Sequence, residues 1–417
     1  MSSPEEIGAH SNKDSVDGLA EAPKAVSLKD VEDHEPVLAT RDGECCDYRM
    51  GICKQSEKCG SKHPHVPYPS SSKWDTHHMQ RLRFECYAFN VDPKNWSDDK
   101  VICEWVLRVF RHRIPDTFSE YDDEKIDTDP DLPELPIALH TTHSESVASI
   151  IDRMSGQLSK ELQEDSFLIM LKNFVSKYDL KNASIQKLCQ AVLRGDFMPQ
   201  GVTHYAHRNT LFAWVDALNM YSRGAFTESC LDELLASIIN SAGNETDTLI
   251  RIKIRESTAK TINVCGQAVN VQGDIAVWSA HGDCVLQVIT CIEHKVFPRP
   301  TDIRRVLPQI ACEAVAVGKD TPFGNRHYKT MYQLSVHVVR SPSRTIMHVI
   351  VFLVRCHVSN DTLANMYKCP ITNPLQRSYI LYEKVHHENL YSDSFISNVY
   401  KAIKAALLIF KHSEVHD

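Results

Sequence analysis

The sequence predicts a multidomain α/β protein. Its C-terminal part reads as a mixed β-sheet flanked by helices, its centre as a helical region, and its N-terminal part as a small cysteine-rich unit. Three observations carry this. From roughly residue 226 to 411 the order is helix, strands, helix, strands, helix. Between 144 and 225 the apolar residues recur at helical spacing. Between Cys45 and His63, four cysteines and a histidine fall within nineteen residues.

The chain has 417 residues, enough for two or three domains. Hydrophobic residues make up 42% and charged residues 24%, ordinary for a globular protein. No apolar run reaches the ~18–20 residues that span a bilayer, and "MSSPEEIGAHSNKDSVDG" has neither the basic start nor the apolar core of a signal peptide. The expectation is an intracellular protein, nuclear or cytoplasmic, whose 14 cysteines stay mostly reduced. Residues 1–42 carry ten acidic and four basic side chains, and so hold −6 of the net charge of −8. The rest is nearly neutral, which does not advertise a nucleic-acid binder but leaves room for a local basic surface.

Taken in order, residues 1–42 are polar, acidic and aperiodic, as in a disordered tail. The cysteine-rich unit occupies 43–66 and runs into the extended "HPHVPYPSSSKW". Residues 74–118 are a mixed, partly helical segment in which Val101, Trp105, Val109 and Phe110 lie near helical spacing. Residues 119–136, "SEYDDEKIDTDPDLPELP", form an acidic, proline-broken linker. In the helical region, Phe167, Leu171 and Phe174 share one stripe. Beyond 226 the runs "TLIRIKIRE", "KTINVCGQAVNVQ", "DIAVWS", "DCVLQVITCIE", "YQLSVHVVR" and "TIMHVIVFLVRC" read as strands, several apolar enough to be covered on both faces. In the last helix, Phe395, Val399, Ile403 and Leu407 read as core packing. The pairs His77-His78 and His386-His387 lack partners at metal-ligand spacing and read as solvated surface histidines. Most of the remaining cysteines sit in apolar runs, as buried small hydrophobes do. The helical region shows no readable chemistry; packing or contact with a protein partner is its expected role.

Two stretches carry chemistry. In the first, Cys45, Cys53, Cys59 and His63 have the spacing Cys-x7-Cys-x5-Cys-x3-His. Three thiolates and an imidazole close a tetrahedral shell with no open position, the pattern of structural Zn²⁺. So short a segment buries no core, so the metal would supply its folding free energy. Cys46 competes as first ligand but shortens the loop. The stretch resembles the CCCH zinc-finger family, many of which bind single-stranded RNA, and Gly51 matches the glycine that family places before the second cysteine. Where the family carries stacking aromatics, this chain has Gln55 and Ser61. That leaves Tyr48 as a base platform and Arg49, Lys54, Lys58 and Lys62 as phosphate contacts, or else a finger that docks protein.

The second stretch is "GDIAVWSAHGDCVLQVITCIEHK", Gly273–Lys295. Asp274 begins one strand, "SAHGD" turns with Gly282, and Glu293 and Lys295 end the next, so a hairpin is expected. Residues two apart on a strand share a face, so Glu293 and Lys295 point the same way. If Asp274 and Glu293 meet, they can share a hard divalent cation, Mg²⁺ or Mn²⁺. Such an ion activates water and offsets charge on a phosphodiester transition state, and Lys295 could orient that water. Gln309 and Glu313 follow, four apart on one helical face. This arrangement is similar to the PD-(D/E)xK, or restriction-endonuclease-like, nuclease superfamily. The resemblance implies catalytic roles for Asp274, Glu293, Lys295 and Gln309, and a further acidic metal ligand on the preceding helix, for which Glu233 is the candidate. It implies a metal-dependent nuclease assisted by a zinc finger, or a scaffold that keeps the fold without the activity.

Overall fold

The computed structural model describes residues 70, 73–88, 155–156, 159–163, 165–180, 183–195, 197, 205–293, 303, 306–324, 327–340, 347–368, 375–387, 389–390 and 392–414. The acidic tail, the cysteine-rich unit with Cys45, Cys53, Cys59 and His63, the 119–136 linker and Lys295 lie outside them.

The sheet is mixed and flanked by helices, as expected. In chain order come α1 (Thr76–Arg81), β1 (Phe84–Ala88), α2 (Ser166–Lys177), α3 (Ile185–Arg194), α4 (Tyr205–Ser222), α5 (Glu228–Thr246), β2 (Ile250–Ile254), β3 (Lys260–Val264), β4 (Gln267–Val271), β5 (Ile275–Ser279) and β6 (Cys284–Glu293). Then follow α6 (Leu307–Val317), β7 (Tyr328–Arg340), β8 (Met347–Ser359), α7 (Asn360–Asn365), β9 (Ser378–His387) and α8 (Asp393–Glu414). Seven strands form one sheet in the order β1-β9-β8-β7-β6-β5-β2, and β3 and β4 form a separate hairpin. The pairs β1/β9 and β6/β7 are parallel; the other neighbours are antiparallel. The parallel step from β6 to β7 passes through α6, as a crossover requires.

Local chemistry sets the helix ends. The Asp165 carboxylate caps α2 by accepting from the Leu168 N–H at 2.9 Å. Ser184 caps α3 through the Lys187 N–H at 3.3 Å, and Gly195 ends it in the left-handed conformation. Pro308 stands in the first turn of α6, where its missing N–H has no intrahelical partner to lose, so it starts that helix and does not kink it.

The two sheet faces bury separate clusters. On one, Ile275, Val277, Leu286, Val288, Leu334, Val336, Val349 and Val351 pack with α2–α5 and α8. On the other, Ala276, Trp278, Ile289, Met331, Ile350 and Phe352 pack with α6 and the β3–β4 hairpin. Consecutive strand residues thus enter different cores, which is why these strands read as unbroken apolar runs. Phe167, Leu171, Phe174, Phe395, Val399, Ile403 and Leu407 are all buried in the first cluster, as their stripes predict. That cluster runs from Leu162 to Phe410 and so crosses residue 225, joining the helices of the 144–225 region to the sheet. One expectation fails. His78 is buried, stacked on Trp74 with ring centroids 5.7 Å apart, and its Nδ1 lies 2.6 Å from the Asp75 carboxylate. The neighbouring tryptophan makes this site apolar, which the His-His pair alone does not reveal. No described helix is long and apolar enough to cross a membrane.

Candidate functional site

Polar residues converge at one end of the β5–β6 hairpin, with α5 on one face and α6 on the other. The hairpin itself is as predicted: Ile275 pairs with Val288, and Gly282 turns with a positive φ of 95°. Asp274 immediately precedes β5. Its Oδ2 accepts from the Thr290 N–H at 2.8 Å. The Thr290 hydroxyl donates at 2.7 Å to Asp232 of α5, so one threonine ties two acids together across the sheet. Asp232 is fully buried, and its other oxygen accepts from Arg255 Nε at 2.5 Å. Arg255 adopts φ +43°, rare for a side chain with a Cβ. Its backbone N–H donates to the Asp274 carbonyl at 2.7 Å, which fixes the arginine beside the cluster.

From the opposite face α6 delivers Glu313, 1% exposed. Gln309, one turn earlier, donates to its Oε1 at 2.9 Å. The other oxygen, Oε2, is buried without a hydrogen-bond partner. It presses on Gly273, where a Cβ would stand 3.1 Å from it, so any other residue there would crowd the carboxylate. Burial, joined by the charge of Asp274, raises the Glu313 pKa well above the usual carboxylate range despite the Gln309 hydrogen bond. Burial likewise raises Asp274 to about 6. The charges of Asp232 and Glu228 add to that rise, while the Thr290 N–H and Arg255 oppose it.

The sequence candidates are placed as follows. Asp274 and Gln309 belong to this cluster. Glu233 does not: it is exposed on α5, and the acid that this helix turns inward is Asp232. Glu293 ends β6. Extending the register by one residue sets Asp274 opposite Ile289, and Glu293 is four residues further on, about 13 Å of strand. The acid found beside Asp274 is instead Glu313. Thr290, Arg255 and Asp232 carry no motif; only the tertiary fold brings them in.

No family model, curated protein or solved structure matches the chain.

The chemistry open to the cluster follows from which oxygens are engaged. Both Asp232 oxygens are taken, by Thr290 and Arg255. Asp274 Oδ2 is held by Thr290, and Glu313 Oε2 has no partner. Among the described residues, no three His, Cys, Asp or Glu side chains stand together as a metal-holding group. A hard cation here would therefore rest on two carboxylates, Asp274 and Glu313, with water completing its shell. That suits Mg²⁺ or Mn²⁺, which keep several waters, better than a metal needing a full protein cage.

Proposed function

We propose that the chain is a metal-dependent nuclease that hydrolyses phosphodiester bonds in nucleic acid, with Asp274 and Glu313 as the carboxylates for Mg²⁺ or Mn²⁺. The observation that carries this reading is the buried, unpartnered Oε2 of Glu313 against Gly273 and Asp274. A buried carboxylate oxygen without a donor is costly, and two neighbouring carboxylates with raised pKa values await a positive charge. The order α5, β2, β5, β6, α6, β7 supports the restriction-endonuclease-like reading, with Asp274 at a hairpin end and Gln309 on the following helix. When bound, the cation would lower the pKa of a coordinated water and offset charge at the phosphoryl oxygens. Gln309 positions the Glu313 carboxylate, and Lys295 remains the candidate for orienting water. Structural Zn²⁺ on Cys45, Cys53, Cys59 and His63 belongs to the same proposal, as the finger that helps to hold substrate or partner.

One observation favours the scaffold reading: the Arg255 guanidinium already neutralises Asp232. The deciding experiment incubates labelled single- and double-stranded RNA and DNA with Mg²⁺ or Mn²⁺. Wild type should cleave, and Asp274→Asn and Glu313→Gln should lose activity by orders of magnitude, because the ion's several kcal/mol of transition-state stabilisation go with its ligands. Gln309→Ala should lose less. A loss of the same size in Glu293→Gln would return the second ligand to β6. No cleavage of any substrate would leave the scaffold. For the finger, wild-type protein should carry one zinc and Cys53→Ala or His63→Ala protein none; equal zinc in all three would remove it from the proposal.

A further inference from the structure

The ion pair with Asp232 uses only part of Arg255. Ile254 ends β2 and pairs with Ile275, so Arg255 stands opposite Asp274 one residue further on. A 3₁₀ turn begins there (Arg255–Thr258), and the Thr258 hydroxyl reaches the carbonyls of Arg255, at 2.5 Å, and Gly273. With the Arg255 N–H on the Asp274 carbonyl, the turn is fastened to the Gly273–Asp274 backbone at two points. The left-handed backbone of Arg255 comes with that placement.

The guanidinium is pinned at one corner and open at another. Nε donates to Asp232, and Nη2 is buried 3.7 Å from the Glu228 carboxylate without a hydrogen bond. Nη1 makes no hydrogen bond among the described residues and stays accessible. The side chain is 37% exposed, against 2% for the acid that holds it. Burial works against the arginine's charge, but the Asp232 hydrogen bond and the charges of Asp232, Asp274 and Glu228 outweigh it and raise the pKa. Asp274 is thus approached from the α6 face by Glu313, whose Oε2 lacks a donor, and from the α5 face by a cation with a donor to spare. A phosphodiester has two nonbridging oxygens. If one meets a cation on the two carboxylates, the other needs a donor, and an arginine offers it a charge-assisted N–H. We infer that Arg255 is a phosphate-contacting residue of this site, its Nη1 edge donating to a nonbridging oxygen of the bound phosphodiester. The inference rests on the nuclease reading for the phosphodiester itself, and it gives the contact to a residue outside the motif.

The test reads binding and cleavage apart. Arg255→Gln alone leaves the buried Asp232 carboxylate without its cation and destabilises the fold. Asp232→Asn/Arg255→Gln is therefore compared with Asp232→Asn, so that the difference belongs to the guanidinium. Labelled single- and double-stranded RNA and DNA oligonucleotides are titrated with the full chain in Ca²⁺, with anisotropy as the readout. A gel confirms that the probe stays whole, and thermal melts confirm that both variants fold. Wild type should bind, and the double variant should bind about tenfold more weakly than Asp232→Asn, the worth of one charge-assisted hydrogen bond. Its Mn²⁺ affinity, read from the shift in melting temperature, should not fall. Equal binding by the two variants, or no binding by wild type, would overturn the contact and leave Arg255 as a counter-ion for Asp232. A tenfold fall in Mn²⁺ affinity would overturn it too, because Arg255 would then act by holding Asp274 in place. Binding that depends on Arg255 without cleavage in Mg²⁺ or Mn²⁺ would keep the contact and sink the nuclease. Cleavage by wild type with both variants equally active would do the reverse.

Discussion

Asp274 and Glu313 work against the fold that holds them. Asp274 has its pKa raised from 3.8 to about 6, chiefly by burial. Below about pH 4 both folded and unfolded chains hold this proton. Between about 4 and 6 only the folded chain holds it, so stability falls as pH rises through that window. Above it the cost is constant, and Glu313 extends the same trend to higher pH. Asp274→Asn and Glu313→Gln should therefore raise the melting temperature at pH 7 in EDTA, an unusual direction for buried polar positions. Mn²⁺ should raise it in wild type and not in the variants. Melts that leave the variants less stable than wild type at pH 7 would contradict the burial argument. Part of this site was legible. Asp274, Gln309 and Glu313 stand in the sequence at motif spacing, and the α5 acid was missed by one residue. One residue is about 100° of helix, and the stripe Leu231, Leu234, Leu235 and Ile238 puts Asp232 at its border and Glu233 on the far side. Arg255 and Thr290 had no such signal, because their roles come from a left-handed backbone and a cross-sheet hydrogen bond.

Among the elements, one buried carboxylate ties α2 to α8 in addition to their apolar packing. Asp165 caps α2, and its Oδ2 also accepts from Tyr400 at 2.8 Å and Lys404 at 2.6 Å, all within the core. Removing it leaves a buried ammonium unpaired, so Asp165→Ala should cost about 3–5 kcal/mol in urea denaturation. A second change, Lys404→Met, should recover much of that loss, because the orphaned charge goes with it; a purely additive double variant would mean that the pair does not interact. A similar contact joins α4 to the segment that leads into α8, with Trp214 Nε1 donating to the Leu390 carbonyl at 3.0 Å. The apolar stripes of these helices were readable from their period. Which helix faces which was not, because a stripe says only that something covers it.

Across the molecule, one cluster spans both sides of residue 225. Phe174 and Trp214 of the helical region lie in the same core as Val336 of the sheet and Phe395 of the last helix. A chain beginning at residue 226 would expose the sheet face that α2–α4 help to cover. It should show no cooperative thermal transition, whereas the full chain should melt in one; a sharp melt from the shortened chain would establish an independent C-terminal domain. Composition and strand patterning made the α/β class legible. They said little about the order of strands, which depends on pairings between segments far apart in the chain.

The strand at the far edge has a consequence for biosynthesis. β1 pairs in parallel with β9, Phe84 opposite Ser378, and Arg377 reaches back to Glu85 at 3.1 Å. At ~5–20 residues per second, a ribosome needs roughly 15–60 s to make the chain between those partners. Phe84 and Leu82, buried in the finished protein, leave the exit tunnel that long before β9 exists. Through most of synthesis the segment has no sheet to join, which makes it a natural holding point for a chaperone that reads short apolar stretches.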